Sequence, residues 1–206
     1  MRPRRQGLGL QCGPTTSPLG NTRCVVVTSS LENLIRDYMN RPLPPSLNPE
    51  VLAKTPDDKL ESTIFDFALG KIGDDFTNEE EVLNSLALGI KNLYVTTVVD
   101  QEVCNGGFNQ FYFNSSRKFA LLAPAAFEFF QANDLAEIVR AANSTRASEA
   151  RWIRAITRIR TVESFMASYR HSKLRPVDEQ FWRLRDLLGP LRVAKIRANP
   201  ESFCGS

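Results

Sequence analysis

Histidine is nearly absent from this sequence: of 206 residues, only His171 is one. Chemistry that needs two histidines, or a histidine-rich metal site, is excluded. Cysteine is scarce and scattered. Cys12, Cys24, Cys104 and Cys204 form no Cys-x-x-Cys pair. Neither a zinc site nor a disulfide framework is expected, and free thiols in a reducing cytoplasm fit better. Apolar runs are short, and none nears the roughly 18 residues of a membrane-spanning helix, so no membrane partner is expected. Strand signals are rare too: "RCVVVTSS" (Arg23–Ser30) is the one β-branched run and has no evident partner. The glycine spacing, Lys and Ser/Thr of a P-loop are missing, and no cofactor is expected.

What is present is ordinary globular material. Hydrophobic residues make up 42% and charged residues 24%, enough for one buried core in a domain of usual size. Residues 1–24 begin with the basic character of a signal peptide but lack its apolar segment. They are expected to be a disordered tail or an over-long gene start, ahead of a domain over 25–206. Charge is uneven. Residues 31–100 hold 6 basic and 13 acidic side chains, residues 151–206 hold 12 and 5, and the whole chain is +3. The acidic half and the basic end can pair with each other, in one chain or across a homodimer, or present separate faces to partners.

The dominant period is helical. "LENLIRDYM" puts Leu31, Leu34, Ile35 and Tyr38 on one face, and the prolines of Arg41–Pro49 stop it. A second helix carries Leu60, Ile64, Phe67 and Ala68. Thr77 and Glu80 have capping-box spacing, as do Asp134 and Glu137. Between Ile90 and Val103, apolar residues cover most of the circumference, which predicts a helix buried at the centre. "SEARWIRAITRI" turns Trp152, Ile153, Ile156 and Ile159 inward, with Arg151, Arg154 and Arg158 together on another face. Gly189-Pro190 reads as a break. The sum is an all-α domain of about eight helices around a buried central one.

The central helix runs into "DQEVCNGGFNQFYFNSS" (Asp100–Ser116). Asn-Gly-Gly between aromatic-rich flanks predicts a corner. Gly106 and Gly107 there either hold positive φ or let another backbone approach. Glu102 and Asn105 are three apart and Gln110 and Asn114 four apart, spacings that share a helix face. Buried, these four would hydrogen-bond one another and clamp the corner, with Phe108, Phe111, Tyr112 and Phe113 filling the core around it. Two other uses of the corner stand beside this one: a surface recognition site, or an enzyme or small-ligand site centred on Glu102, Asn105 and Gln110, with Glu102 as acid or base. Cys104, Ser115 and Ser116 have no histidine nearby to activate them.

The acids of the first half are Asp57, Asp58, Glu61, Asp74, Asp75, Glu79, Glu80 and Glu81. Several fall in first helical turns, where the helix dipole favours them. Together they are also the candidate acidic face for a protein partner. The arginine face is a candidate for nucleic acid, although pairing with the acidic half accounts for it as well, and no specific nucleic-acid binding is expected.

The stretch "EVCNGGFNQFYFNSS" resembles the E-V-N-N-G-G-F-x-Q-F-F-x-N-S core of a bacterial domain family typified by DNA-mimic protein nineteen. Glu102, Val103, Asn105, Gly106, Gly107, Phe108, Gln110, Phe111, Asn114 and Ser115 match it. The likeness is clearest over 57–203. Cys104 stands where Asn is common, and "SSRKFALLAP" is more basic and longer than the usual turn. The resemblance implies an all-helical fold and a non-enzymatic interaction protein. In its sharpest version, such a protein occupies a DNA-binding protein through an acidic, DNA-like surface.

Overall fold

The computed structural model describes residues 44–205 apart from 75, 157 and 160. The expected tail, the strand-like run and the helix over "LENLIRDYM" lie outside the described residues, as does Asp75. Among the described residues the fold is all helical, with nine α-helices. The one extended contact is an isolated antiparallel bridge, in which Leu47 and Gly205 exchange backbone hydrogen bonds of 2.8 and 2.9 Å.

Helix α1 (Pro49–Lys54) is capped by Asn48, whose side chain accepts from the Val51 amide at 2.9 Å. Helix α2 (Asp57–Ile72) buries Leu60, Ile64, Phe67 and Ala68, the stripe that its spacing predicts. It ends at Gly73, where φ is +79°. Helix α3 (Glu79–Ser85) begins one residue later than a Thr77 cap requires, with Asn78 as N-cap and no side-chain cap bond. The cap position thus falls on Asn78 rather than on Thr77.

Helix α4 (Leu88–Phe113) is the centre. Ile90, Leu93, Tyr94, Val95, Val99 and Val103 are each at most 2% exposed. It meets α2, α3, most of the later helices and the C-terminal turn. β-Branched residues form helix here because burial all round decides, over the strand preference of valine. Gly89 lets the C-terminal turn Pro200–Phe203 lie against it: a Cβ there would stand 2.5 Å from the Ser202 carbonyl oxygen and 2.7 Å from the Phe203 ring.

The turn Ser115–Phe119 leads to α5 (Ala123–Phe129), with Pro124 in its first turn, and to α6 (Asn133–Ile156). The two periodic runs after Asn133 are one continuous helix of 24 residues. Asp134 therefore lies in its first turn and is not the cap. Ile153 is buried and Trp152 half-buried, but Ile159 lies beyond the helix end and is 73% exposed. Arg158 is likewise outside the helix that carries Arg151 and Arg154. Helix α7 (Val162–His171) has a reciprocal cap between Thr161 and Ser164. Helices α8 (Arg175–Leu184) and α9 (Leu188–Ala198) complete the domain. Gly189-Pro190 does not break the chain. Pro190 sits in the first turn of α9, where its missing N–H has no helical partner to lose.

The acidic half and the basic end meet within this chain. Arg197 pairs with Asp57 at 2.6 Å, Arg192 with Glu61 at 2.7 Å and Arg185 with Asp100 at 2.9 Å. These pairs tie α9 to α2, and the short turn Arg185–Leu187 to α4.

Candidate functional site

The Asn-Gly-Gly corner is a kink inside α4, not a turn between separate elements. Gly106 is non-helical, with φ −163° and ψ 30°. Gly107 has φ 68° and ψ −179°, after which the helix resumes. Positive φ favours glycine at 107. The interruption frees backbone groups that an unbroken helix would pair, and α8 supplies their partners. Trp182 Nε1 donates to the Val103 carbonyl at 3.1 Å. Asp178 Oδ1 accepts from the Phe108 amide at 2.7 Å, as an N-cap delivered from 70 residues away. Space at Gly107 is taken by the same carboxylate: a Cβ there would stand 2.5 Å from Asp178 Oδ2.

Asp178 is 1% exposed. Burial pushes its carboxyl up to about 6, with the Phe108 amide opposing. Asn109 Nδ2 donates to Ser168 Oγ at 2.9 Å and fixes α7 to the resumed helix. Phe108, Phe111 and Tyr112 are buried around the kink, whereas Phe113 is half-buried against Phe165, at 5.0 Å between ring centroids.

On the other side of the kink lies a polar cluster. Glu102 Oε2 accepts from Gln110 Nε2 at 2.9 Å and from Asn114 Nδ2 at 2.8 Å, and Oε1 accepts from Ser116 Oγ at 2.7 Å. In a straight helix Glu102 and Gln110 would stand about 12 Å apart along the axis, so the kink makes their meeting possible. Asn105 takes no part and is exposed. Ser116, buried in the following turn, completes the cluster, while its neighbour Ser115 is exposed. Cys104 is exposed beside the kink. Burial first, then Asp100, pushes its thiol up, which disfavours the thiolate that a nucleophile needs.

Glu102 also lines an open cavity of about 670 Å³, walled by Phe65, Tyr94 and Phe119. Glu79 lies at its edge. It is 7% exposed, accepts from the Tyr94 hydroxyl at 2.5 Å and pairs with Lys118. Burial, then that hydrogen bond, raises the Tyr94 phenol. Glu79 is thus turned inward, and Asp57 and Glu61 face arginines. Asp58, Asp74, Glu80 and Glu81 are the exposed remainder of the candidate acidic face. Asp58 also stands 3.4 Å from Lys59. Arg151, Arg154 and Arg158 are exposed, and no acid pairs with them among the described residues.

Sequence reasoning missed Asp178, Trp182, Asn109 and Ser168. Asp178 follows Pro176 in the first turn of a helix, where an acid reads as an ordinary dipole charge. Nothing in its spacing marks a partner 70 residues earlier. Among the described residues no group of three or more His, Cys, Asp or Glu is placed to hold a metal, and no helix is long and apolar enough to cross a membrane.

Fold and site together define a class: an all-helical domain built on a broken central helix, its break held by a buried carboxylate from a later helix. A family model described as DMP19-like protein matches residues 84–199, more than half of the chain. The chain belongs to that family. No curated protein and no solved structure gives a significant match.

Proposed function

We propose that this chain is a non-enzymatic protein-interaction module that meets a protein partner through the outer face of α7. The observation that carries this reading is an apolar stripe left in solvent. Val162, Met166 and Tyr169 fall at helical spacing and are 73%, 47% and 41% exposed, and Ile159 just ahead of them is 73% exposed. Large apolar side chains aligned in solvent along one helix face are the mark of an interaction site. The kink motif fits the same reading, because its polar groups are engaged with each other and with the interrupted backbone. A reducing, cytoplasmic setting suits the free thiols of Cys104 and Cys204.

The test is capture from the native cell with wild type and with Met166→Glu/Tyr169→Glu. Both positions are exposed, so the fold should persist. A partner held by wild type and lost in the variant supports the reading, and equal capture overturns it. Sedimentation across a concentration series separates a second copy of this chain from a different protein.

Mimicry of DNA, the sharper version that the family resemblance implies, would fall to Asp58, Asp74, Glu80 and Glu81. The matched segment 84–199 holds 17 basic and 10 acidic side chains, a net +7, which opposes an extended phosphate-like surface. If those acids nevertheless occupy a DNA-binding protein, association should weaken steeply with salt and duplex DNA should compete. Binding that ignores both eliminates mimicry and leaves the apolar face. The enzyme or small-ligand alternative at Glu102 predicts that Glu102→Gln abolishes an activity while stability is kept.

A further inference from the structure

Three arginines converge on an open cavity of about 490 Å³ between the turn Ser115–Phe119 and α6. Arg117 comes from the turn. Arg146 and Arg154 are eight residues apart on α6 and share a side of that helix. Arg146 is half-buried, its guanidinium 5.8 Å from the Tyr112 ring centroid. Burial pushes it below its ordinary value, and Arg117 adds to that effect while Glu149 opposes it. Glu149 is nevertheless committed elsewhere: its carboxylate accepts from Ser172 Oγ at 3.0 Å and from the Lys173 amide at 2.6 Å. No salt bridge reaches Arg117, Arg146 or Arg154 among the described residues. Lys118, at the same rim, is held by Glu79.

Elsewhere in the domain, Arg185, Arg192 and Arg197 each meet an acid. A half-buried guanidinium in a concave site, beside a second arginine and held by no salt bridge among the described residues, is what a bound anion would relieve.

The walls decide which anion. Ala147 and Ala150 give the cavity an apolar side, and Leu121 at its edge is 87% exposed. Single-stranded nucleic acid would use open aromatic faces on which bases stack. The one aromatic here, Tyr112, is covered by Arg146, and its hydroxyl donates to Asn143 Oδ1 at 2.6 Å. Alanine and leucine offer nothing to a phosphate but bury an apolar side chain well.

We propose that this cavity binds an acidic segment of a partner protein, with an apolar side chain against Leu121, Ala147 and Ala150 and flanking carboxylates paired with Arg117, Arg146 and Arg154. This rests on the reading that the partner is a protein. It gives the contacting segment the charge opposite to that of a DNA-binding surface.

The test titrates the full chain, at about 0.15 M salt, with a short fluorescent peptide of glutamate and leucine. The comparison ligands are the same peptide with glutamine for glutamate, and a single-stranded oligonucleotide. The glutamate peptide should bind saturably and more tightly than either. Arg117→Gln/Arg146→Gln should weaken it at least about tenfold, the scale of lost charge-assisted pairs. Arg154→Gln alone, at an exposed position, should weaken it by a smaller factor and guards against a folding defect at Arg146. Arg175→Gln/Arg183→Gln, an equal charge change on α8, should leave binding within about twofold, because screened distant charges contribute little.

Absent binding, equal binding of the glutamine peptide, equal or tighter binding of the oligonucleotide, or an equal loss in the α8 control would each overturn the proposal. If the peptide fails while capture of a native partner still requires Met166 and Tyr169, the cavity proposal falls and the interaction module stands. If the peptide binds through these arginines while capture ignores Met166 and Tyr169, the α7 reading falls instead.

Discussion

The kink in α4 and the arginine cavity on α6 treat polar groups in opposite ways. At the kink, the Val103 carbonyl, the Phe108 amide and both Glu102 oxygens have partners within 3.1 Å. At the cavity, three guanidinium groups line one site and none forms a salt bridge among the described residues. The first arrangement keeps a broken helix stable in the interior, where an unmet polar group costs about 1–3 kcal/mol. The second gives the isolated chain little stability and leaves charge for a ligand. A motif rich in polar residues therefore need not be where chemistry or recognition happens. Here the most recognisable stretch of the chain supplies partners for its own broken helix, whereas the arginines of the cavity form no salt bridge among the described residues.

The sharpest way to break this contrast is at Gly107. Gly107→Val combines a positive φ with a Cβ driven into the Asp178 carboxylate, and should destabilise by more than about 4 kcal/mol or prevent folding. Gly106→Ala is the milder partner. Its φ is ordinary, and the new Cβ meets the movable end of Gln110 at 2.4 Å. Denaturant unfolding should rank them in that order, and equal effects would show that Gly107 needs no special conformation.

Next in size is Glu61→Ala. It strands Arg192, whose side chain is 5% exposed, and loss of one member of such a pair costs about 3 kcal/mol. Asp57→Ala removes a pair whose acid is mostly exposed and should cost under about 1 kcal/mol.

Asp178 should write a pH dependence into stability. Its folded value of about 6 lies above the ordinary 3.8. The native state thus holds a proton that the unfolded chain has released, and stability declines as pH rises from about 4 through 6, by up to about 3 kcal/mol. Asp178→Asn keeps an acceptor for the Phe108 amide and should flatten that part of the curve. A wild-type curve with no decline attributable to this residue would mean that the carboxylate is ionised in the fold without penalty.

The smallest expected effects lie on the surface. Arg154→Gln and Met166→Glu should change unfolding free energy by no more than about 0.5 kcal/mol. A larger loss at either position would make it part of the fold rather than of a docking surface.

Much of this architecture is legible in the sequence because it depends on local period. The apolar stripe of α2, the all-round burial of α4 and the need for glycine at the kink follow from spacing and backbone sterics. The errors share a cause as well. Thr77 as cap, Ile159 as core and Gly189-Pro190 as a break all follow from neighbours in sequence, while packing sets where each helix begins and ends. Helical spacing puts Asn105 in the clamp, yet the kink turns the following residues and brings Ser116 to Glu102 instead. The pairing of the acidic half with the basic end was visible as an option in the charge counts, but the partners, Asp57 with Arg197 and Glu61 with Arg192, were not.

By itself, the sequence determined that this chain is helical, that its centre is the segment from Ile90 to Val103, and that the chain must break at Asn-Gly-Gly. Side-chain period and the conformational freedom of glycine are properties of neighbouring residues. Only the tertiary structure decided which carboxylate caps the break and which described cations stand outside a salt bridge. Both depend on groups tens of residues apart arriving within about 3 Å of each other, or failing to, and no local pattern encodes that distance.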